Sequence, residues 1–252
     1  MVTGAGTLLN VATVLVGSGI GVLLGHRLPQ RTRDVVTDGL GLVTLLIAAL
    51  SAAAVLDREL VDAVGSSAPV LVVLGSVIVG GVIGSLLRVE DRLEGVGAAI
   101  RSRFSGRGAP GGGDEERHRF IEGFVTASLV FCVGPLTVLG SIDDGLGQGI
   151  DKLALKATLD GFASIAFAAS LGWGVAASAL AVLVVQGSLT VLAALLGDLL
   201  PAAHLSALTA TGGLLLVGVS MRLLRVRPVP VADLLPALVV APLIVQVVVM
   251  VR

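Results

Sequence analysis

The chain has 252 residues, of which 55% are apolar and only 14% are charged, and its formal net charge is −1. Average proteins carry about 25% charged residues. This composition, with a mean hydropathy of +1.00, excludes a disordered chain, a coiled coil and a nucleic-acid-binding domain, all of which need charge. An all-helical integral membrane protein with several spans is the class that remains.

Eight stretches are long and apolar enough to cross a bilayer, which takes about 20 residues. In chain order they are 6–25, 39–56, 69–87, 120–140, 157–173, 175–196, 206–221 and 233–250. The fifth and sixth form one apolar run, which the sequence Gly172-Trp173-Gly174 divides into a helical hairpin. We expect no cleavable signal peptide, because residues 1–25 lack a positively charged start and are typical of a first span.

Arginines cluster in three connecting loops, 26–38, 88–119 and 222–232, which hold three, seven and three of the 17 basic residues. With eight spans, all three loops fall on the same side of the membrane. Positively charged loops remain in the cytoplasm, so we expect a plasma-membrane protein with these loops inside and both termini outside. The glycine-rich segment 105–113 makes the longest loop a flexible linker.

Local sequence matches indicate an internal repeat. Segments 70–76 and 182–188 are nearly identical, and the acidic Gly-Phe motif at 122–126 recurs at 160–164. We predict that spans 2–4 (39–140) and spans 5–7 (141–221) are inverted three-helix repeats, an architecture of many secondary transporters. Segment 1–38, with the first span and its loop, and segment 222–252, with the last loop and span, flank this core. Chance similarity among small and apolar residues is the alternative.

Two acidic residues inside apolar spans are the main candidates for function, since such residues normally face a water path or a partner. Glu122 and Asp160 each have a hydroxyl residue four positions later on the same helix face, Thr126 and Ser164. Carboxylate and hydroxyl oxygens suit Na⁺, other hard cations or protons. We predict an ion-binding site made of Glu122, Asp160, Thr126, Ser128 and Ser164, in which both carboxylates reach one polar cavity.

A structural explanation of the two acids remains open. Both are predicted within the first two turns of their helices, where a carboxylate complements the helix dipole. Arg119 and Lys156 precede them by three and four residues and supply local ion-pair partners. Four further residues are secondary candidates for lining a pore: Asp38, Asn10, Gln186 and Thr211.

Glycine and proline predict how the spans pack. The pairs Gly17/Gly21 and Gly80/Gly84 are spaced for close helix contact, either within the chain or between two copies of it. Gly134-Pro135 predicts a bend or break late in the fourth span.

The chain resembles the YqgA/YdfK family, a bacterial multi-pass membrane family of unknown function. The segments that carry the resemblance are 6–10, 27–29, 122–128, 132–135, 140–145, 159–164, 186–188, 209–213 and 233–238. What the resemblance implies is a bacterial inner-membrane protein that serves as a sodium channel or pump, with no substrate established. The run at 160–164 also resembles a motif of manganese exporters with inverted three-helix repeats.

We therefore expect a transporter or channel for a small cation, coupled to Na⁺ or H⁺, rather than an enzyme. The alternatives are a non-transporting membrane scaffold or sensor and a divalent-cation exporter. The histidines stand singly, at His26, His118 and His204, all predicted in or beside loops, and the sequence contains no phosphate-binding loop motif. The expected partners are the lipid bilayer, a small cation and a second copy through glycine-rich faces. No nucleic acid is expected, and no cofactor beyond a bound Na⁺.

Overall fold

A computed structural model describes residues 3–25, 27–104, 114–196 and 201–251. Every regular element within these ranges is helical, so the predicted all-helical class is confirmed. The helices are α1 (Ala5–Gly25), α2 (Gln30–Ala52), α3 (Arg58–Val64), α4 (Pro69–Leu87), α5 (Val89–Phe104), α6 (Asp114–Cys132), α7 (Pro135–Gly145), α8 (Asp151–Leu171), α9 (Gly174–Leu196), α10 (Ala202–Leu223) and α11 (Ala237–Val251). Short 3₁₀ turns at Ala53–Leu56 and Val231–Leu234 extend α2 and precede α11.

Seven helical segments in the described ranges are long and apolar enough to span a membrane. They carry exposed apolar side chains such as Leu23, Leu86 and Leu195, as contact with lipid requires. The bent pair Glu115–Cys132 and Leu136–Gly145, with 63° between its helices, makes up to eight if it counts as one span. The predicted break at Gly134-Pro135 is therefore confirmed.

The break between α6 and α7 has a local chemical cause. Proline has no N–H to donate to the preceding turn, and the last carbonyls of α6 need other partners. Thr137 of α7 supplies one, because its hydroxyl donates to the Phe131 carbonyl at 3.2 Å. The Phe131 carbonyl is thus satisfied at the break.

Several helices extend beyond the predicted apolar stretches. The helix α8 begins at Asp151 rather than near residue 157, and α6 begins at Asp114 rather than near residue 120. The long arginine-rich loop contains a helix as well, since α5 occupies Val89–Phe104. That helix has acidic residues in its first turn and basic residues in its last, an arrangement that complements the helix dipole. The predicted linker 105–113 lies outside the described residues.

The chain forms two compact units, each made of separate segments. The first comprises Met1–Leu40, Arg92–Cys132 and Leu136–Gly197, and the second comprises Gly41–Asp91, Val133–Pro135 and Asp198–Arg252. Each unit thus combines helices from both of the proposed repeats. The inverted repeat itself stays a prediction.

In the first unit, α1 packs against α8 along a row of glycines. A Cβ added at Gly17, Gly21 or Gly25 would overlap the backbone carbonyl oxygens of Gly161, Ile165 or Ala169. Small residues let two helix backbones approach this closely. The contacts advance together along both helices, so α1 and α8 run parallel, as expected if they are the first and fifth of eight spans. The predicted close packing at Gly17 and Gly21 thus occurs within the chain.

The second unit has its own glycine contacts and a charged network. Gly80 of α4 lies against Ala237, while Glu90 of α5 forms an ion pair with Arg222 of α10 and accepts a hydrogen bond from the Ala232 N–H at 2.7 Å. Asp233 Oδ1 accepts in turn from the Glu90 N–H at 2.9 Å. These bonds hold the start of α5 to the end of α10 and to the turn before α11.

Candidate functional site

Asp160 lies in the middle of α8, nine residues after the helix begins at Asp151. The prediction that it belongs to the first two turns is wrong, because the helix starts earlier than the apolar stretch does. The helix dipole acts mainly within the first turn. It therefore does not explain a carboxylate at this position.

Four buried side chains form one hydrogen-bonded group, here called the polar quartet: Lys156 and Asp160 of α8, Asn10 of α1 and Gln186 of α9. Lys156 Nζ forms an ion pair with Asp160 Oδ2, as the structural explanation predicts. Asn10 Nδ2 donates to the same carboxylate oxygen at 3.0 Å and to Gln186 Oε1 at 2.9 Å. Asn10 and Gln186 are fully buried, and Lys156 and Asp160 are only 5% and 8% exposed.

The chemistry of the quartet fixes the direction of its hydrogen bonds. The Asp160 carboxylate can only accept, so the NH₂ group of Asn10 must face it. The second N–H of Asn10 then requires the oxygen of Gln186, which orients that amide too. Two buried atoms are left without a partner, the acceptor Asn10 Oδ1 and the donor Gln186 Nε2.

The quartet offers oxygen ligands rather than a transition-metal site. Its carboxylate and two amide oxygens are ligands typical of hard cations. No group of three His, Cys, Asp or Glu side chains that could hold a metal ion occurs in the part of the chain that the structure describes.

Further polar contacts lead from the quartet toward the N-terminal end of α1. Thr7 lies three residues before Asn10, and its hydroxyl is 3.4 Å from that of Thr190 on α9. Beyond this pair, the Asp144 carboxylate at the end of α7 accepts hydrogen bonds from the N–H groups of Gly4 and Gly6, at 3.0 and 3.2 Å. Asp144 is 3% exposed, so a second buried carboxylate caps α1 a short distance from the quartet.

The hydroxyl residues predicted for the site are all buried, but they are not all in the quartet. Ser164 lies one turn after Asp160, and its hydroxyl donates to the Gly161 carbonyl at 2.8 Å where Gly17 approaches α8. Thr126 and Ser128 lie on α6 and are 2% and 5% exposed, and Ser128 Oγ has no hydrogen-bond partner. Neither of these two side chains is hydrogen-bonded to the quartet.

Glu122 does not meet Asp160, so the predicted pairing of the two carboxylates is wrong. The neighbouring residue Gly123 packs against Leu171 at the end of α8, and Arg119 Nε donates to the Ser170 carbonyl at 2.9 Å. Leu171 follows Asp160 by eleven residues, which is about 16 Å along a helix at 1.5 Å per residue. The matching sequence motifs therefore place Asp160 in the middle of α8 and Glu122 near the C-terminal end of that helix.

The remaining candidates fall into three different settings. Asp38 is exposed on α2, so nothing encloses it as a site in the first unit. Thr211 is fully buried on α10 in the second unit, and its hydroxyl has no partner. His204, which we predict in a loop, is instead a buried residue of α10 whose Nε2 lies 3.0 Å from Gln246 Oε1.

Three members of this site are more central in the structure than the sequence predicts. From the sequence, Asn10 and Gln186 are secondary candidates and Lys156 is a local partner of Asp160. The spacing of Lys156 and Asp160 indicates this pairing, because two opposite charges inside one apolar span are expected to neutralise each other. Asp144 follows a predicted span, and nothing in its spacing indicated its contact with α1.

Comparisons with known proteins place these observations in a family. Residues 5–246 match the family described as "Protein of unknown function (DUF554)". The chain is 27% identical over 243 residues to "Uncharacterized membrane protein YdfK" of Bacillus subtilis (strain 168), covering 96% of each chain. It is 30% identical over 237 residues to "Uncharacterized protein YqgA" of Escherichia coli (strain K12), covering 94% of each. No solved structure matches. The resemblance to the YqgA/YdfK family is thus confirmed, and the chain belongs to the DUF554 family of membrane proteins.

Proposed function

We propose that this protein transports a small monovalent cation, with Na⁺ as the first candidate, and that the cation binds at Asp160 in the polar quartet. The observation that carries the proposal is a buried lysine–aspartate pair joined to two buried amides at the contact of three helices. Ionisable residues inside spans are costly and usually functional.

Stability alone is a weak reason for such a group. Replacing a buried ion pair by apolar residues of similar volume is often neutral or stabilising. A helix contact built from Gly17, Gly21 and Gly25 already packs α1 on α8 without help from charges. The proposed transport role accounts for the buried Lys156–Asp160 pair, whereas packing of the helices does not require it.

The ligands follow from the unsatisfied atoms. Asp160 supplies a carboxylate, and Asn10 Oδ1 supplies a buried acceptor that has no partner. Gln186 Oε1 accepts one hydrogen bond from Asn10 and has a second lone pair that can serve a cation. Together these atoms provide the hard oxygen environment that Na⁺ prefers.

The test is uptake of ²²Na⁺ into liposomes that contain the purified protein. Asp160→Asn keeps the shape of the side chain but removes its charge, and we expect it to abolish uptake. Glu122→Gln is the matched control, because Glu122 lies on α6 next to Gly123, which packs against Leu171 at the end of α8, and we expect its uptake to equal that of wild type.

Two results would overturn the proposal. Undiminished uptake by Asp160→Asn would remove the quartet as the site. Absence of flux for Na⁺, Li⁺, K⁺ and H⁺ with correctly folded protein would favour a non-transporting scaffold instead.

A further inference from the structure

We infer that Lys156 is a tethered competitor of the transported cation: its ammonium group occupies Asp160 when the site is empty of cation and moves to Asp144 when a cation binds. This inference rests on the proposed function and adds to it a mechanism and a charge class for the substrate. It follows from four observations on the first unit.

The first observation is that Lys156 already occupies a cation position. Its ammonium group contacts Asp160 Oδ2, the oxygen that also accepts from Asn10. A cation that takes the Asp160 carboxylate as a full ligand must therefore displace the ammonium group. Lys156 and Asp160 are four positions apart on the same helix, so the competing ammonium group is always close to the carboxylate.

The second observation is the order of the two residues along α8. A helical side chain leans toward the N-terminus of its helix, but Lys156 reaches forward to Asp160. A pair with the acid before the lysine is more favourable than this reversed order. The contact of Lys156 with Asp160 thus departs from the usual direction of a helical side chain.

The third observation is a second acid in the backward direction. Gly6 of α1 lies against Leu153, and a Cβ added at Gly6 would be 3.2 Å from Asp144 Oδ2. Asp144 therefore lies beside the turn of α8 that precedes Lys156. Its carboxylate has about four acceptor positions, of which the Gly4 and Gly6 N–H groups use two.

The fourth observation is the charge count around Lys156. The helices α1 and α9 carry no charged residue, and Asp143 of α7 is engaged by Lys152 at 2.7 Å. The acidic residues of α6 lie toward the C-terminal end of α8, where Gly123 packs against Leu171. Within the described residues, this leaves Asp160 and Asp144 as the carboxylates beside the buried Lys156. A monovalent cation on Asp160 with Lys156 on Asp144 gives two neutral pairs, whereas a divalent ion leaves one uncompensated positive charge. The count therefore favours a monovalent substrate.

The experiment measures how Na⁺ raises the thermal stability of the detergent-solubilised protein, with choline chloride keeping the ionic strength constant. A ligand that binds only the folded state stabilises it by RT ln(1 + c/Kd), where c is the free ligand concentration, so a fit of the titration yields Kd, the half-saturating concentration. In Lys156→Gln the competitor is absent, and we expect half-saturation at a roughly tenfold lower Na⁺ concentration, equivalent to about 1.4 kcal/mol. Lys152→Gln, one turn earlier, is the matched control and should titrate like wild type.

Asp144→Asn tests the second half of the inference and leaves the Lys156–Asp160 pair in place. Because the displaced ammonium then lacks a charged acceptor, we expect half-saturation at a roughly tenfold higher Na⁺ concentration, again about 1.4 kcal/mol. This variant also decides the matter if Lys156→Gln fails to fold. Mg²⁺ and Ca²⁺ should produce no stabilisation that depends on Asp160.

The outcomes separate the two proposals. If wild type responds to Na⁺ and Asp160→Asn does not, the site stands, and unchanged titrations of Lys156→Gln and Asp144→Asn would then overturn the competitor alone. An equal Asp160-dependent response to Mg²⁺ would overturn the monovalent class. No response of wild type to Na⁺, together with no ²²Na⁺ uptake, would remove the proposed function itself.

Discussion

Replacing Lys156 by methionine should destabilise the protein strongly, because it leaves the Asp160 carboxylate buried without its counter-charge. The side chains of Lys156 and Asp160 are 7% and 11% exposed. Removing one partner of a pair buried to this extent costs about 3–5 kcal/mol. The neighbouring pair of Lys152 and Asp143 is 46% and 23% exposed, so Lys152→Met should cost only about 0–1 kcal/mol.

The double variant Lys156→Met/Asp160→Leu tests whether the loss comes from the unpaired charge. It removes both charges, so it should be more stable than Lys156→Met alone although it carries one more substitution. Reversible unfolding in SDS mixed micelles, followed by circular dichroism, gives the free energies of unfolding. Equal losses for Lys156→Met and Lys152→Met would show that the pair is not buried. A double variant less stable than Lys156→Met would show that the charges are not coupled.

Three further substitutions test the packing and the hydrogen bonds. Gly21→Leu should destabilise the protein by about 1–3 kcal/mol, or prevent folding, because the larger side chain overpacks the contact with α8. Gly19→Ala, whose added Cβ meets no atom within 4 Å, should be neutral or slightly stabilising in a thermal melt. Equal effects of the two substitutions would contradict the close contact at Gly21. Asn10→Leu leaves the carbonyl of Gln186 buried without a hydrogen bond, which should lower the free energy of unfolding by about 1–3 kcal/mol. The same substitution should raise the Na⁺ concentration needed for half-saturation, and an unaltered titration would exclude Asn10 as a ligand. In the second unit, Glu90→Ala removes the bonds to Arg222 and to the turn before α11, and a loss of about 1.5–3 kcal/mol is expected for these charge-assisted bonds; unchanged SDS unfolding would show that the network contributes nothing.

The spans were predictable because their signal is local. An apolar stretch of about 20 residues has few alternatives to a membrane helix, and Gly134-Pro135 disturbs a helix wherever it occurs. The helix ends were not predictable from hydropathy. The segment from Asp151 to Lys156 is polar but helical, so the apolar stretch understates α8 and misplaces Asp160 in its first turns.

The site was predictable only in part, since its members come from three distant helices. Burial cost alone singled out Asn10 and Gln186, as unpaired amides are expensive inside a membrane. The likeness of the motifs around Glu122 and Asp160 gave no information on depth, and the contact of Gly123 with Leu171 separates the two acids. The depth of a residue in the membrane and the register of two helices depend on which helices pack together. No short segment of the sequence contains that information.

The sequence separation within the polar quartet has a consequence for biosynthesis. Asn10 and Asp160 are 150 residues apart, so α1 is synthesised and inserted long before its partner α8 exists. Among the seven candidate spans, α8 has the lowest mean hydropathy, 1.2, against 2.0 for α1, and each unpaired charge at a helix centre adds about 2.5–3.5 kcal/mol to the insertion free energy. Entry of α8 into the bilayer is then the demanding step for the translocon, and the Asn10 amide makes that step depend on a helix synthesised 150 residues earlier.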